Sequence, residues 1–149
     1  MHELAIRDAE PADMAVLREV FQRASLSNEG DRASLLAHPE ALELSDAGVT
    51  DGRTRVAEAD GRIIGFATWL STGEVTEIED MFVDPEFMRR GVGRALVVDQ
   101  ITLAERRGVR RVEVTGNPHA REFYERVGFT CDHEVETPLG PGLRMYREL

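Results

Sequence analysis

The chain contains no lysine: all 18 of its basic residues are arginine. A protein without lysine cannot acetylate itself on a lysine side chain. Cysteine is nearly absent as well, with Cys131 the only one. That excludes an intrachain disulfide and fits a reducing cytoplasm, and Cys131 beside Phe129 is expected in the core. No apolar run approaches the ~18 residues of a membrane span, and the N-terminus has no basic-then-apolar leader pattern, so no membrane role is expected. Positive charge is in the minority, with 28 acidic residues giving a net charge of −10. Such an excess argues against nucleic acid as a partner.

The remaining composition is that of one globular domain over residues 1–149, long enough to bury a core without staples. Repeats, linkers and low-complexity tracts are lacking. Alternation in "HELAIRDAEPAD" predicts a strand that ends before Pro11. Met14, Leu17, Val20 and Phe21 recur at helical spacing between Asp13 and Ala24. Ser25 to Asp31 is expected as a loop, and Arg32 to Leu44 as a second helix interrupted at Pro39. Two strands flank an Asp60-Gly61 hairpin turn. Val75 to Val83 alternates as a further strand, followed by a turn and a helix over about Val92 to Arg107, closed by Gly108. A short strand at Arg111–Thr115 precedes the capped segment "NPHAREFYERVGF". Two strands, about Thr130–Glu136 and Leu143–Leu149, complete the chain around a Thr137–Gly142 loop. This order is a mixed α/β domain, and the strands joined by the long helix should be parallel.

One stretch stands out in so acidic a chain. "DMFVDPEFMRRGVGRALVV" sets Arg89, Arg90 and Arg94 around Gly91, Val92 and Gly93 where a strand becomes a helix. Unpaired amides at a helix N-terminus, the helix dipole and side-chain-free glycines together favour a bound anion. A lone Gly-x-Gly is weak evidence. A Rossmann fingerprint would need a small residue where Leu96 stands, and a P-loop would need Gly-Lys-Ser/Thr.

The strand and turn "EIEDMFVDPEFMRRGVGRAL", followed in order by "NPHAREFYERVGF", resemble the GNAT superfamily of N-acetyltransferases. The first segment is similar to the family's fourth strand and acetyl-coenzyme A turn, and the second to its Asn-x-x-Ala-x-x-Phe-Tyr segment. One departure is Met88, which stands where the family usually places Gln or Arg. The resemblance implies a single-domain GNAT-like α/β fold: a mixed central sheet with splayed parallel strands and flanking helices. It further implies acetyl-coenzyme A as cosubstrate, with its pyrophosphate on the amides from Arg89 to Arg94 and its pantetheine arm along Met81, Phe82 and Val83. Asn117 is expected to cap its helix and to meet the cofactor. Tyr124 is expected to donate to the departing thiolate, against the alternative that it belongs to a buried stripe with Ala120, Phe123 and Val127.

Glu77 and Glu79, two apart, should share one strand face, with Asp80 on the other. Glu77 falls where some members carry a glutamate base, and Glu79 is the second candidate. His119 is expected at the surface, and Trp69 packed on the sheet. No metal site is expected. The implied acceptor is a primary amine of a small molecule, in a pocket formed by segments holding Asn28, Glu29, Asp31, Glu40, Glu43 and Glu136, with Arg32 nearby. A noncatalytic acyl-coenzyme A sensor, and an enzyme acting on protein N-termini or aminoacyl-tRNA, are the alternatives. Oligomeric state is left open by the sequence, with a homodimer through the terminal strands as one option.

Overall fold

The computed structural model describes residues 3–27, 29–138 and 140–149; among residues 29–41, the side chains of Glu29, Gly30, Asp31, Ser34 and Ala41 lie outside the description. Seven strands form one sheet: β1 Leu4–Asp8, β2 Thr54–Ala59, β3 Arg62–Thr72, β4 Val75–Val83, β5 Arg111–Gly116, β6 Thr130–Thr137 and β7 Gly140–Glu148. Their spatial order is β1-β2-β3-β4-β5-β7-β6. Among the described residues only β4 and β5 run parallel, joined by the long helix α4, Val92–Arg106. The other helices are α1 Met14–Leu26, α2 Glu29–Ala37, α3 Ala47–Thr50 and α5 Arg121–Arg126.

The elements follow from local chemistry. Asp60 and Gly61 both adopt positive φ, 54° and 76°, the twist that a two-residue hairpin requires. β4 has the bounds that its alternation predicts. In α1, Met14, Leu17, Val20 and Phe21 are all buried, one stripe at 3.6-residue spacing. Fully burying each such side chain contributes about 1.5–3 kcal/mol.

Two apolar layers sandwich the sheet. The α1 stripe packs with Val56, Phe66 and Phe82 on one face. On the other, α4 packs through Val92 and Leu96 on Ala57, Ile64 and Ala67, and through Val97 and Ile101 on Ile78, Val112 and Val114. Tyr124 and Val127, with Phe129, extend that second layer, and Cys131 packs against its edge as expected.

Some expectations are corrected. Residues 25–31 are not a continuous loop, because α1 runs to Leu26 and α2 already begins at Glu29. The predicted second helix ends at Ala37; His38 precedes a separate 3-10 turn, Pro39–Leu42, since proline cannot donate to the preceding turn. The short helix α3 has no counterpart among the sequence expectations. The last hairpin is tighter than expected, Thr137 pairing with Gly140.

Candidate active site

The parallel pair β4–β5 is short. Val75 to Ile78 pair with Arg111 to Val114, after which β4 continues to Val83 without a β5 partner. On its other edge β5 stays paired with β7 along its whole length, from Arg111 opposite Glu148 to Gly116 opposite Leu143, so Thr115 and Gly116 keep a β7 partner but have none on β4. The strands therefore splay, and backbone donors and acceptors of β4 between Glu79 and Val83 face the opening instead of a ladder. Met81 and Val83 lie on the α4 side of the sheet, Phe82 on the α1 side against Phe21, ring centroids 4.8 Å apart.

β4 leads directly into the turn that caps α4. Asp84 is fully buried and accepts a hydrogen bond from the Glu86 amide at 3.1 Å. It is also ion-paired to Arg23 of α1 and to Arg62, so it ties α1 to this turn. Arg89 has φ +63° and Gly91, the N-cap, φ +82°. These left-handed residues reverse the chain so that the first amides of α4 point outward. Ala95 N–H is the first to donate back, to the Gly91 carbonyl at 3.0 Å, leaving Val92, Gly93 and Arg94 as free donors of the first turn. A side chain at Gly93 would press on Met81 Cε and the Phe123 ring at 3.2 Å, so glycine keeps the surface of the turn clear. Arg89, Arg90 and Arg94 are exposed and, among the described residues, form no ion pairs. Arg90 lies over the Phe87 ring, 5.4 Å from its centroid, with Arg62 at 5.1 Å. The turn is built to receive an anion, and the Met88 departure removes no backbone donor.

Beyond the splay, Asn117 Oδ1 accepts from the His119 amide at 2.8 Å, the expected cap, which leaves its side-chain NH2 free. His119 is exposed. Tyr124 is 5% exposed, with Phe123 and Phe129 edge-on at 5.0 and 5.4 Å. Its ring lies on the end of β5: a side chain at Gly116 would touch it at 3.2 Å. Burial pushes its phenol well above the ordinary tyrosine range, so the group stays protonated and can act only as a donor or neutral acceptor. Tyr124 is thus part of the buried stripe and also at the edge of the opening.

The acidic residues of β4 are arranged differently from a simple alternation. Thr68 pairs with Asp80 and Trp69 with Ile78, so Glu79 has no partner of its own on β3. This bulge turns Asp80 to the α1 side, where alternation had placed it on the opposite face from Glu79. Both line one cavity of about 360 Å³ with Phe21, Glu43, Leu44, Ser45, Arg53 and Thr68. Glu79 is held by Arg53 at 2.6 Å. Desolvation raises the Asp80 pKa above the usual value, an effect the neighbouring Thr68 hydroxyl opposes. Glu77 is elsewhere. Arg144 of β7 holds both its oxygens, at 2.6 and 3.0 Å, and also Glu113 and the Thr115 hydroxyl at 2.8 Å. It does not line the cavity.

Of the other acceptor-side residues, Glu43 lines the cavity, while Glu40 is exposed beside His38 and Glu136 is exposed on β6. Arg32 reaches the Leu26 carbonyl at 3.3 Å. Asn28 and the side chains of Glu29 and Asp31 lie outside the described residues. Trp69 is covered by Arg107, 3.7 Å from its ring centroid, in keeping with packing. Asp80 and Arg53 were missed from the sequence. The adjacent acids Glu79-Asp80 inside an alternating strand were the available signal. A second groove, of about 640 Å³, runs past Arg94, Val98, Arg126 and Tyr146. Among the described residues no helix is long and apolar enough to cross a membrane, and no cluster could hold a metal ion.

Comparison with known proteins gives this arrangement its context. The chain is 30% identical over 139 residues to a glucosamine 6-phosphate N-acetyltransferase of Trypanosoma brucei brucei, covering 80% of this chain and 92% of that protein. It is 43% identical over 104 residues to an uncharacterized N-acetyltransferase of Methanocaldococcus jannaschii, covering 63% of this chain but only 44% of that protein. In three dimensions it matches the PaiA N-acetyltransferase of Thermoplasma acidophilum, solved in complex with coenzyme A, with a TM-score of 0.80 over 99% of both chains at 16% identity. The sequence profile of the acetyltransferase (GNAT) family matches residues 15–129, so the chain belongs to that family.

Proposed function

We propose that the protein transfers the acetyl group of acetyl-coenzyme A to the primary amine of a small, positively charged molecule. One observation carries this reading: the splay between β4 and β5 runs between an anion-binding turn and a carboxylate-lined cavity. In this reading the amides of Val92, Gly93 and Arg94 hold the pyrophosphate, with Arg89 and Arg90 adding charge. Asn117 contributes its free NH2. Backbone groups from Met81 to Val83 align the pantetheine arm, and an N–H among them polarises the thioester carbonyl as the oxyanion develops. Tyr124, kept neutral by burial, donates a hydrogen bond to the departing sulfur.

The acceptor preference follows from charge. Glu43, Glu79 and Asp80 line the cavity against Arg53 alone, and Arg53 is already spent on Glu79 and Asp51. Such walls concentrate cations and repel anions, more strongly at low salt. The trypanosomal relative's name suggests a phosphorylated amino sugar as the second reading, yet an anionic phosphate would meet unfavourable charge in this cavity. The test compares kcat/KM for cationic, neutral and phosphorylated amines of similar size at low and high salt, following coenzyme A release. Preference for cationic amines that weakens with salt supports the reading. Preference for the phosphorylated amine overturns the charge assignment, and binding of acetyl-coenzyme A without transfer to any amine would point to a sensor instead.

A further inference from the structure

We propose that Asp80, rather than Glu77 or Glu79, is the group that takes the proton from the acceptor's ammonium; this rests on the acetyl-transfer reading above. The reason is geometric. Of the three carboxylates on the acceptor side of β4, two are committed to arginine. Arg144 holds both oxygens of Glu77. Arg53 holds Glu79 at 2.6 Å while also donating to the Trp69 carbonyl at 2.9 Å, which fixes the guanidinium. Asp80 has no ion-pair partner among the described residues, and it lines the cavity. It also immediately precedes Met81, where the backbone segment proposed to hold the thioester begins.

Its orientation is built in. The bulge at Glu79 swings Asp80 onto the α1 side. Thr68 stands opposite it on β3, and Thr68 Oγ1 lies 2.8 Å from Thr54 Oγ1, both threonines being buried. Gly48 of α3 closes over this pair, where a Cβ would stand 2.6 Å from Thr54 Oγ1. The charged groups around Asp80 are Glu79 beside it on β4, Arg53 before β2 and Glu43 after the 3-10 turn; Phe21 of α1 and Thr68 of β3 bring no charge. Desolvation and Glu79 raise the affinity of Asp80 for a proton, while Thr68 and Arg53 oppose them. A carboxylate raised in this way is a better match to an amine than an ordinary aspartate.

The step balances as follows. The ammonium N–H bond breaks and its proton goes to an Asp80 oxygen, leaving a neutral amine. Nitrogen forms its bond to the acetyl carbon, the carbon–sulfur bond breaks, and its electron pair leaves on sulfur. The surplus proton on the new amide nitrogen passes to water, and the thiolate is stabilised by the donor at Tyr124.

The test pairs ethylamine, protonated at neutral pH, with 2,2,2-trifluoroethylamine, which is largely neutral there. Asp80→Asn should lower kcat/KM for ethylamine about 100-fold, within the usual range for a positioned base. The trifluoro analogue, which needs no deprotonation, should be nearly unaffected. With ethylamine the wild-type profile should rise through the Asp80 titration and level off, whereas the variant should keep rising with pH as free amine accumulates. Thr68→Val, which removes the hydroxyl that opposes the rise in the Asp80 pKa, should move the acidic limb upward in pH. That shift is independent of whether Asp80→Asn folds well. Equal losses for both amines, or no loss, overturn the role of Asp80 and leave acetyl transfer standing. A wild-type protein that acetylates neither amine overturns the transfer reading and this inference together.

Discussion

Thr68 and Asp80 are partners across the β3–β4 pair, and both line the carboxylate-rich cavity on the α1 side of the sheet. The next pair along is Trp69 with Ile78, so one residue of β4 is surplus. That single bulge turns Asp80 into the cavity beside Glu79. It also gives Asp80 an energetic signature apart from catalysis. Burial holds its folded-state pKa above the unfolded value, so the native state binds the proton more tightly. Stability from this group is present below the model-peptide pKa of 3.8 and is lost as pH rises through the folded-state pKa. Asp80→Asn should therefore raise Tm at pH 7, and the gain should vanish towards pH 3. Thermal denaturation across that range checks it, and a gain that grows on acidification would have the wrong sign.

Tyr124→Phe should lower kcat with little change in acetyl-coenzyme A affinity, since the hydroxyl acts on charge that develops only as sulfur leaves. A reduction of about 100–1,000-fold is the expected scale for removing one donor aimed at developing negative charge. The aromatic contacts with Phe123 and Phe129 remain in the variant, so its Tm should change little. An unchanged kcat would leave Tyr124 with a packing role alone.

Glu77→Gln should cost stability of order 1 kcal/mol or less, because its ion pair with Arg144 is partly exposed. The acidic limb of the kcat/KM profile should survive. Loss of that limb here, and its retention in Asp80→Asn, would return the base to Glu77.

Asp84→Ala should act on the cofactor side. It removes the acceptor for the Glu86 amide and releases Arg23 of α1, a combined cost of about 1–2 kcal/mol. KM for acetyl-coenzyme A should rise more than kcat falls, because the turn loses its anchor while the reacting groups are untouched. Steady-state kinetics with Tm as a control separates this from general unfolding.

The sequence carried the fold well wherever a single periodicity governed an element. The α1 stripe, the span of β4, the Asp60-Gly61 turn and the start of α4 at Val92 were all legible. The acceptor side was less so. Period-two reasoning put Asp80 on the wrong face because a bulge inserts a residue without any turn-forming signal. It could not foresee that Arg144, 67 residues away in sequence, would hold Glu77, nor that Arg53 would hold Glu79. Those pairings depend on which strands become neighbours. The four-residue helix α3 is too short for any helical pattern to register, yet its Gly48 packs over the Thr54–Thr68 pair.

The turn at the head of α4 is the feature on which the functional account depends, and binding of acetyl-coenzyme A to wild-type protein and to Gly93→Asp tests it most directly. The new carboxylate would lie among the free amides of the first turn, and its Cβ would press on Met81 Cε and Phe123 at 3.2 Å, where the methionine end can yield without unfolding. Calorimetry should show saturable binding to the wild type and affinity weaker by about 100-fold, or about 2.8 kcal/mol, in the variant. Tm should stay close to that of the wild type. Equal affinity in the two folded proteins would contradict the assignment of this turn to the cofactor.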